Sequence, residues 1–158
     1  MDIFSKILSP VLALAFISAP LAAQGSAIDL KGDVMLEQKV VDDEGAETVK
    51  LVEPNTIVPG DRLVFGTDYA NSGAEAVENF VVTNPLPAAV RLATDAPADL
   101  QVSVDGGSTW GALSELSVND DDGASRPAAH EDVTHVRWTL SRVEVGESGR
   151  LEYPAVIR

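Results

Sequence analysis

The sequence predicts an all-β fold, an antiparallel β-sandwich of seven to nine strands that follows a cleaved leader. Two observations support this prediction. Beyond the leader, short apolar stretches alternate with polar residues at a period of two, which is the period of a half-buried strand. Between these stretches, Gly, Pro, Asn and Asp form turn clusters, and long helical periodicity is absent. Short strands separated by such turn signals are typical of the immunoglobulin-like sandwich.

The chain begins with residues typical of a secretory signal peptide, which we place at residues 1–23. Lys6 and the α-amine form a positive start, residues 7–21 form an uncharged apolar run, and small residues follow. This run is shorter than the ~20 residues of a membrane-spanning helix, which favours a signal peptide. No membrane span is expected after its removal. Cleavage is expected after Ala23, or as late as residue 27. The leader predicts an extracytoplasmic location, in the periplasm, on the cell surface or secreted.

Residues 28–158 are then expected to form a single domain, in which each strand is a short stretch of alternating apolar residues. Pro59 and Gly60 suit the two central positions of a turn, because proline presets φ and glycine accepts a positive φ. The stretch Asn119–Pro127 is predicted to be a loop. The predicted strands contain the segments Ile28–Leu30, Val34–Leu36, Thr48–Val52, Leu63–Tyr69, Val77–Thr83, Val90–Leu92, Leu100–Val104, Val136–Leu140 and Leu151–Ile157.

The apolar positions of these strands predict the core, because residues on one face of a strand lie two apart. Val136, Trp138 and Leu140 share one face, so Arg137 points to the other, where we expect it to pair with a nearby carboxylate. The predicted core consists of Leu63, Phe65, Tyr69, Phe80, Val82, Val102, Val104, Trp138, Leu140, Leu151 and Tyr153.

Composition excludes several classes of function. The 158 residues include 11 Lys and Arg against 25 Asp and Glu, a formal net charge of −14, and such a surface repels the phosphates of nucleic acids. The sequence has no cysteine, so it forms no disulfide, thiol nucleophile or Cys-ligated metal site. A domain of this length buries about two-thirds of its unfolded surface, which is enough to fold without such support. No cofactor is expected.

Three motifs occur in the order seen in one bacterial family. They are VPGDRLVF at Val58–Phe65, YANSG at Tyr69–Gly73 and FVVTNPLP at Phe80–Pro87. Together they resemble the bacterial "conserved repeat" domain of unknown function, family eleven, over roughly residues 28–158. The resemblance implies an immunoglobulin-like sandwich of the kind found on secreted and cell-surface proteins. It implies no catalytic residues.

The stretch SVDGGSTW, Ser103 to Trp110, resembles the Asp-box hairpin that recurs in sialidases and other secreted β-proteins. In that hairpin the carboxylate of Asp105 would accept hydrogen bonds from backbone N–H groups of its own turn. Gly107 would supply a backbone conformation that a Cβ hinders, and Trp110 would pack back over the hairpin. Ser103 and Thr109 suit the flanking positions. Each of these requirements is structural, so the motif predicts a hairpin between two strands and no catalytic residue.

Two polar clusters are candidate metal sites. Asp120, Asp121 and Asp122 offer the oxygen ligands that calcium prefers, although the spacing around them does not fit an EF-hand, and a solvated acidic loop is the other interpretation. His130 and His135 give too few nitrogen ligands for a typical zinc site. We therefore interpret them as the surface start of a strand.

These observations predict a non-enzymatic secreted or cell-envelope module for protein interaction, adhesion or surface structure. The edge strands of an open sheet allow a protein partner, or a second copy of the chain, to add a strand. The segment Ile28–Val40 could act as such a detachable strand. The alternatives are a carbohydrate-binding domain that uses the Asp-box hairpin and a surface module stabilised by calcium.

Overall fold

The computed structural model describes residues 27–41, 44–120 and 122–158. The predicted signal peptide lies outside these ranges. Within them, no helix has the length and hydrophobicity that a membrane crossing requires. The described chain forms two 3₁₀ turns, Leu113–Glu115 and His130–Asp132, and these strands: β1 (Ile28–Val41), β2 (Glu47–Val52), β3 (Arg62–Asn71), β4 (Val77–Pro85), β5 (Val90–Leu92), β6 (Gln101–Ser103), β7 (Ser117–Asn119), β8 (Ser125–Pro127), β9 (His135–Val143) and β10 (Ser148–Ile157).

The strands form three open antiparallel sheets, so the prediction of an all-β fold is confirmed. The first sheet has five strands in the order β2-β1-β3-β10-β5, and the second has three in the order β4-β9-β6. The ten strands of the described chain exceed the seven to nine predicted. The difference arises in the predicted loop Asn119–Pro127, whose two ends belong to the paired strands β7 and β8. These strands are three residues long, too short to show alternation.

One hydrophobic core contains residues from both of the larger sheets. Tyr153 of β10 stacks on Phe65 of the neighbouring β3, with ring centroids 5.0 Å apart. The same tyrosine ring lies 6.1 Å from the ring of Trp138, which belongs to β9 in the other sheet. The buried members of this core are Leu63, Val90, Leu92, Leu100, Val102, Leu116, Val133, Val136, Tyr153 and Ala155.

Seven residues of the predicted core are only partly buried. Phe65, Val104 and Trp138 pack against the buried cluster, whereas Tyr69, Phe80, Leu140 and Leu151 are not among its members. The reason is the length of the flanking strands. β6 pairs with β9 only from His135 to Arg137, and β5 pairs with β10 only from Ala155 to Ile157. The other ends of β9 and β10 lack these lateral neighbours, so side chains there stay closer to solvent.

Candidate functional site

The Asp-box stretch forms a loop that leaves β6 at Ser103. Val102 and Gly111 close it through two backbone hydrogen bonds, of 2.9 Å from the Val102 N–H and 3.1 Å from the Gly111 N–H. Gly111 forms an isolated bridge and belongs to no strand. The loop is therefore closed by a single bridge, whereas the sequence predicted a hairpin between two strands. The reason is that the chain turns into Leu113–Glu115 shortly after the bridge.

The carboxylate of Asp105 organises this loop. Its Oδ1 accepts hydrogen bonds from the backbone N–H groups of Thr109 at 2.8 Å and Ser108 at 3.1 Å. The Ser103 hydroxyl donates a third, at 2.7 Å. These bonds, the one from the Thr109 backbone above all, lower the pKa of Asp105 to about 2. The group is therefore ionised at neutral pH and holds the turn, which leaves no proton for a general acid to donate.

The remaining contacts fold Trp110 back over the loop. The buried Ser103 hydroxyl accepts a hydrogen bond of 2.9 Å from the Gly107 N–H. Gly107 has φ 92°, a conformation that side chains with a Cβ rarely adopt. Its carbonyl in turn accepts a 2.9 Å hydrogen bond from Trp110 Nε1. The indole is thus fixed to the loop by its polar edge.

Trp110 contacts Arg137, which lies on the outward face of β9. The guanidinium carbon is 4.4 Å from the centroid of the Trp110 ring, and Nη2 donates a 2.9 Å hydrogen bond to Gln101 Oε1. Arg137 takes part in no ion pair among the described residues. Our expectation of a carboxylate partner was therefore wrong. Its partners are the indole of Trp110 and the amide of Gln101 instead.

A groove opens beside Arg137 where β6 begins. Its volume is about 610 Å³, and it lies between the turn that precedes β6 and the middle of β9. Because β6 pairs with β9 only up to Arg137, the following residues of β9 present a free strand edge to this groove. The groove is lined by Pro97, Asp99, Leu100, Gln101, Arg137, Trp138 and Thr139.

A second arginine lies on the outward face of the five-stranded sheet, near the start of β10. Arg150 Nη2 is 2.7 Å from Asp33 Oδ1, Nη1 is 2.9 Å from Asp68 Oδ1, and Nε is 2.5 Å from Glu152 Oε1. The Arg150 hydrogen bond holds the pKa of Asp33 below its usual value. A Cβ at Gly66 would collide with this guanidinium, so glycine makes room for it. Three carboxylates thus surround one guanidinium, so the positive charge of Arg150 is fully compensated.

The candidate metal ligands have other partners. Asp120 Oδ1 is 2.9 Å from Arg126 Nε, and the same guanidinium is 2.7 Å from Asp132 Oδ2. The Asp122 carboxylate accepts a long hydrogen bond of 3.4 Å from the Ala124 N–H, and Asp121 lies outside the described residues. No group of three or more His, Asp or Glu in the described ranges is placed to hold a metal ion.

The histidines lie on two different elements. His130 opens the 3₁₀ turn His130–Asp132, and β9 begins only at His135. The expected strand start is therefore correct for His135 and wrong for His130. The Asp132 carboxylate explains the turn, because it accepts a 2.7 Å hydrogen bond from the Ala129 N–H and closes the chain on itself.

A second candidate surface is the ribbon of β2 and the end of β1, residues 36–41 and 47–52, which we call the arm. β1 pairs with β3 as far as Leu36 and with β2 from Leu36 onward, so the arm continues beyond the sheet. The register places Val41, Val49 and Leu51 on one face, and they are 67%, 54% and 45% exposed. The sequence showed the alternation of these residues but not their exposure.

No protein-family model, curated protein sequence or solved structure matches this chain. The resemblance to the conserved repeat domain therefore stays a prediction, as does the immunoglobulin-like arrangement of the sheets. What the chain binds has to be inferred from its own surfaces, and the arm and the Arg137 groove are the two candidates.

Proposed function

We propose that the chain is a non-enzymatic module of the cell envelope or the secreted space, and that it binds another protein through the arm. The observation that carries this proposal is an exposed apolar row on one face of the arm, formed by Val41, Val49 and Leu51. On the same face the partner strand places the charged residues Glu47, Lys39 and Glu37 opposite them. Apolar side chains gathered in one exposed patch mark interaction sites, whereas scattered ones need no explanation. The signal-like residues 1–23 support a location outside the cytoplasm.

The arm also offers unpaired backbone groups. β2 is the last strand of its sheet, and within the described chain it pairs with β1 on one side only. The N–H and C=O groups of such an edge are a template for an added strand. A partner strand hydrogen-bonded to β2 would place its alternate side chains beside Val49 and Leu51.

The base of the arm is fixed before any partner arrives. Arg62 Nε lies 2.6 Å from Glu37 Oε2, and its Nη1 lies 2.7 Å from Asp95 Oδ1 in the turn after β5. The guanidinium therefore ties the start of the arm to the body of the sheet. A surface that is already ordered loses less conformational entropy on binding.

The apolar row is small, so a partner must contribute further binding free energy through other contacts. Covering three aliphatic side chains that are about half exposed contributes on the order of 3 kcal/mol. Association costs more than that, so strand hydrogen bonds and charged contacts have to supply the rest. The net charge of −14 favours a partner with lysine and arginine around its strand and disfavours a second copy of this acidic chain.

The Asp-box loop supports a function without catalysis. Asp105 is held ionised by hydrogen bonds from its own loop, and Arg137 covers one face of the Trp110 ring. The motif resembles one found in glycan-cleaving enzymes, but here the side chains of Asp105 and Trp110 make contacts within the chain itself. This arrangement favours the interaction module over the carbohydrate-binding alternative.

Site-specific photo-cross-linking in the native organism tests the proposal. A benzophenone amino acid replaces Val49 of the full-length chain, and Val145 in the turn between β9 and β10 is the matched control, because it is 55% exposed. We expect an adduct with another polypeptide from position 49 alone, and its loss when Leu51→Asp is added. Equal adducts from both positions, or none from position 49, would contradict the proposal. An adduct with twice the mass of the chain would show that the partner is a second copy of this chain.

A further inference from the structure

Arg137 is less well satisfied than a structural arginine. Its Nε is buried and has no hydrogen-bond partner among the described residues, and Nη2 donates only to the neutral amide of Gln101. A buried donor without a partner costs free energy, so the fold gains nothing from this N–H. The indole of Trp110 nevertheless holds the guanidinium in one place, with its charge uncompensated by any carboxylate of the described chain.

The groove beside Arg137 lies along the part of β9 that β6 does not cover. β6 ends its pairing with β9 at Arg137, and the turn containing Pro97 and Asp99 leads the chain away from β9. The free edge of β9 from Trp138 onward therefore forms one wall of a space of about 610 Å³. Edges of this kind accept extended peptides, whose backbone groups complete the hydrogen-bonding ladder.

We propose that this groove binds an extended peptide segment whose carboxylate pairs with the guanidinium of Arg137. The peptide backbone bonds to the free edge of β9, and one acidic side chain points to the outward face where Arg137 lies. Arginine and carboxylate form a charge-assisted, fork-shaped pair, which is stronger than the bond Arg137 makes to Gln101. This site lies on the three-stranded sheet, so it goes beyond the proposed function of the arm and does not depend on it.

The lining restricts the segment further. Asp99 stands on the opposite wall, in the turn before β6, and would repel a second acidic group. Thr139 lies two residues from Arg137 on the same outward face and offers a hydroxyl. The groove therefore suits a segment with a single carboxylate between neutral residues, and the strongly negative chain as a whole excludes polyacidic ones.

Binding of two matched peptides tests this assignment. The first is a fluorescent hexapeptide of alternating Thr and Val with one central Glu, and the second carries Gln in place of Glu. Both are titrated against the full-length chain by fluorescence anisotropy. We expect the Glu peptide to bind about tenfold more tightly than its Gln twin. The preference should vanish in Arg137→Met and persist in Arg142→Met, a control on the same strand whose guanidinium contacts Glu78 and Glu144.

Three results would overturn the proposal. One is equal affinity of the Glu and Gln peptides for the unmodified chain, a comparison that needs no variant to fold. Another is a preference for Glu that survives Arg137→Met. The third is binding of glucuronate, but of neither peptide, with amide shifts in Arg137 and Thr139 by NMR, which would make the groove a site for acidic sugars instead.

Discussion

The two larger sheets each carry an arginine on their outward face, and the two arginines have opposite environments. Arg150 contacts three carboxylates, from Asp33, Asp68 and Glu152. Arg137 contacts an indole and a neutral amide, and its Nε has no partner within the described chain. The same residue type is thus compensated by carboxylates on one sheet and has no carboxylate partner among the described residues on the other.

The difference shows how to separate a structural arginine from a binding one in an acidic protein. With 25 acidic side chains against 11 basic ones, carboxylates are abundant. Ion pairs with carboxylates are formed by Arg62, Arg126, Arg142 and Arg150. Among the described residues Arg91, Arg137 and Arg158 take part in no ion pair, and of these three it is Arg137 that stacks on an aromatic ring. Its charge is available to a partner, whereas the charge of Arg150 is already neutralised.

The largest expected effect is a loss of stability from one substitution in the core that both larger sheets share. Tyr153 is 1% exposed and contacts the rings of Phe65 and Trp138, so it joins the sheets that carry the two arginines. Tyr153→Ala should lower the free energy of unfolding by roughly 3–5 kcal/mol, measured in denaturant titrations. The partly buried Tyr69 provides the comparison, since Tyr69→Ala should cost clearly less. Equal losses would show that the two sheets do not share one core.

Alkaline pH should weaken the same junction without any substitution. Burial raises the pKa of Tyr153 to about 12, because the phenolate is disfavoured away from water. The unfolded tyrosine ionises near pH 10, so this contribution to stability is complete below about pH 10 and disappears as the pH rises through about 12. The loss should be on the order of 2 kcal/mol, followed by melting temperature against pH. Tyr153→Phe should lack this alkaline loss of stability. If the melting temperature of the variant fell with pH as it does in the wild type, the loss could not be assigned to Tyr153.

A smaller effect should disturb the Arg137 face alone. Asp105→Ala frees the N–H groups of Ser108 and Thr109 and releases the loop that holds Trp110, so Tm should fall by about 5 °C at pH 7. The pKa of Asp105 is lowered to about 2, so its contribution is present above about pH 4 and is lost as the pH falls through about 2. Wild type and variant should therefore converge in acid. Asp99→Ala, at an exposed aspartate in the turn before β6, serves as control. Equal melting temperatures of the Asp105→Ala and Asp99→Ala proteins would disprove the role of Asp105.

The smallest effects compare the two arginines directly. Arg150→Met leaves Asp33, Asp68 and Glu152 without a counter-charge and should cost roughly 1 kcal/mol, more at low salt, where their repulsion is unscreened. Arg137→Met leaves no carboxylate unpaired and should change stability by no more than about 0.5 kcal/mol. Chemical denaturation of both variants at two ionic strengths measures this. A greater loss for Arg137→Met would make that arginine the structural one.

The features that follow from the sequence are those that depend on neighbours along the chain. The alternation Leu63, Phe65, Thr67 specifies a strand face, and β3 has that strand. In the Asp-box loop, Asp105 bonds to Thr109 only four residues away, so residue types and spacing suffice to predict which carboxylate holds the turn. Hydrogen bonds this short in sequence are independent of how the sheets pack.

Contacts between distant segments were decided by the tertiary structure. Arg150 and Asp33 are 117 residues apart, and only the register of β1, β3 and β10 brings them together. The stacking of Arg137 on Trp110 likewise requires the loop to close over β9, and nothing in the residues around Arg137 distinguishes an indole partner from a carboxylate. Strand registers and lengths are set by the whole core, so they also decide that Val49 is exposed and that β9 keeps a free edge.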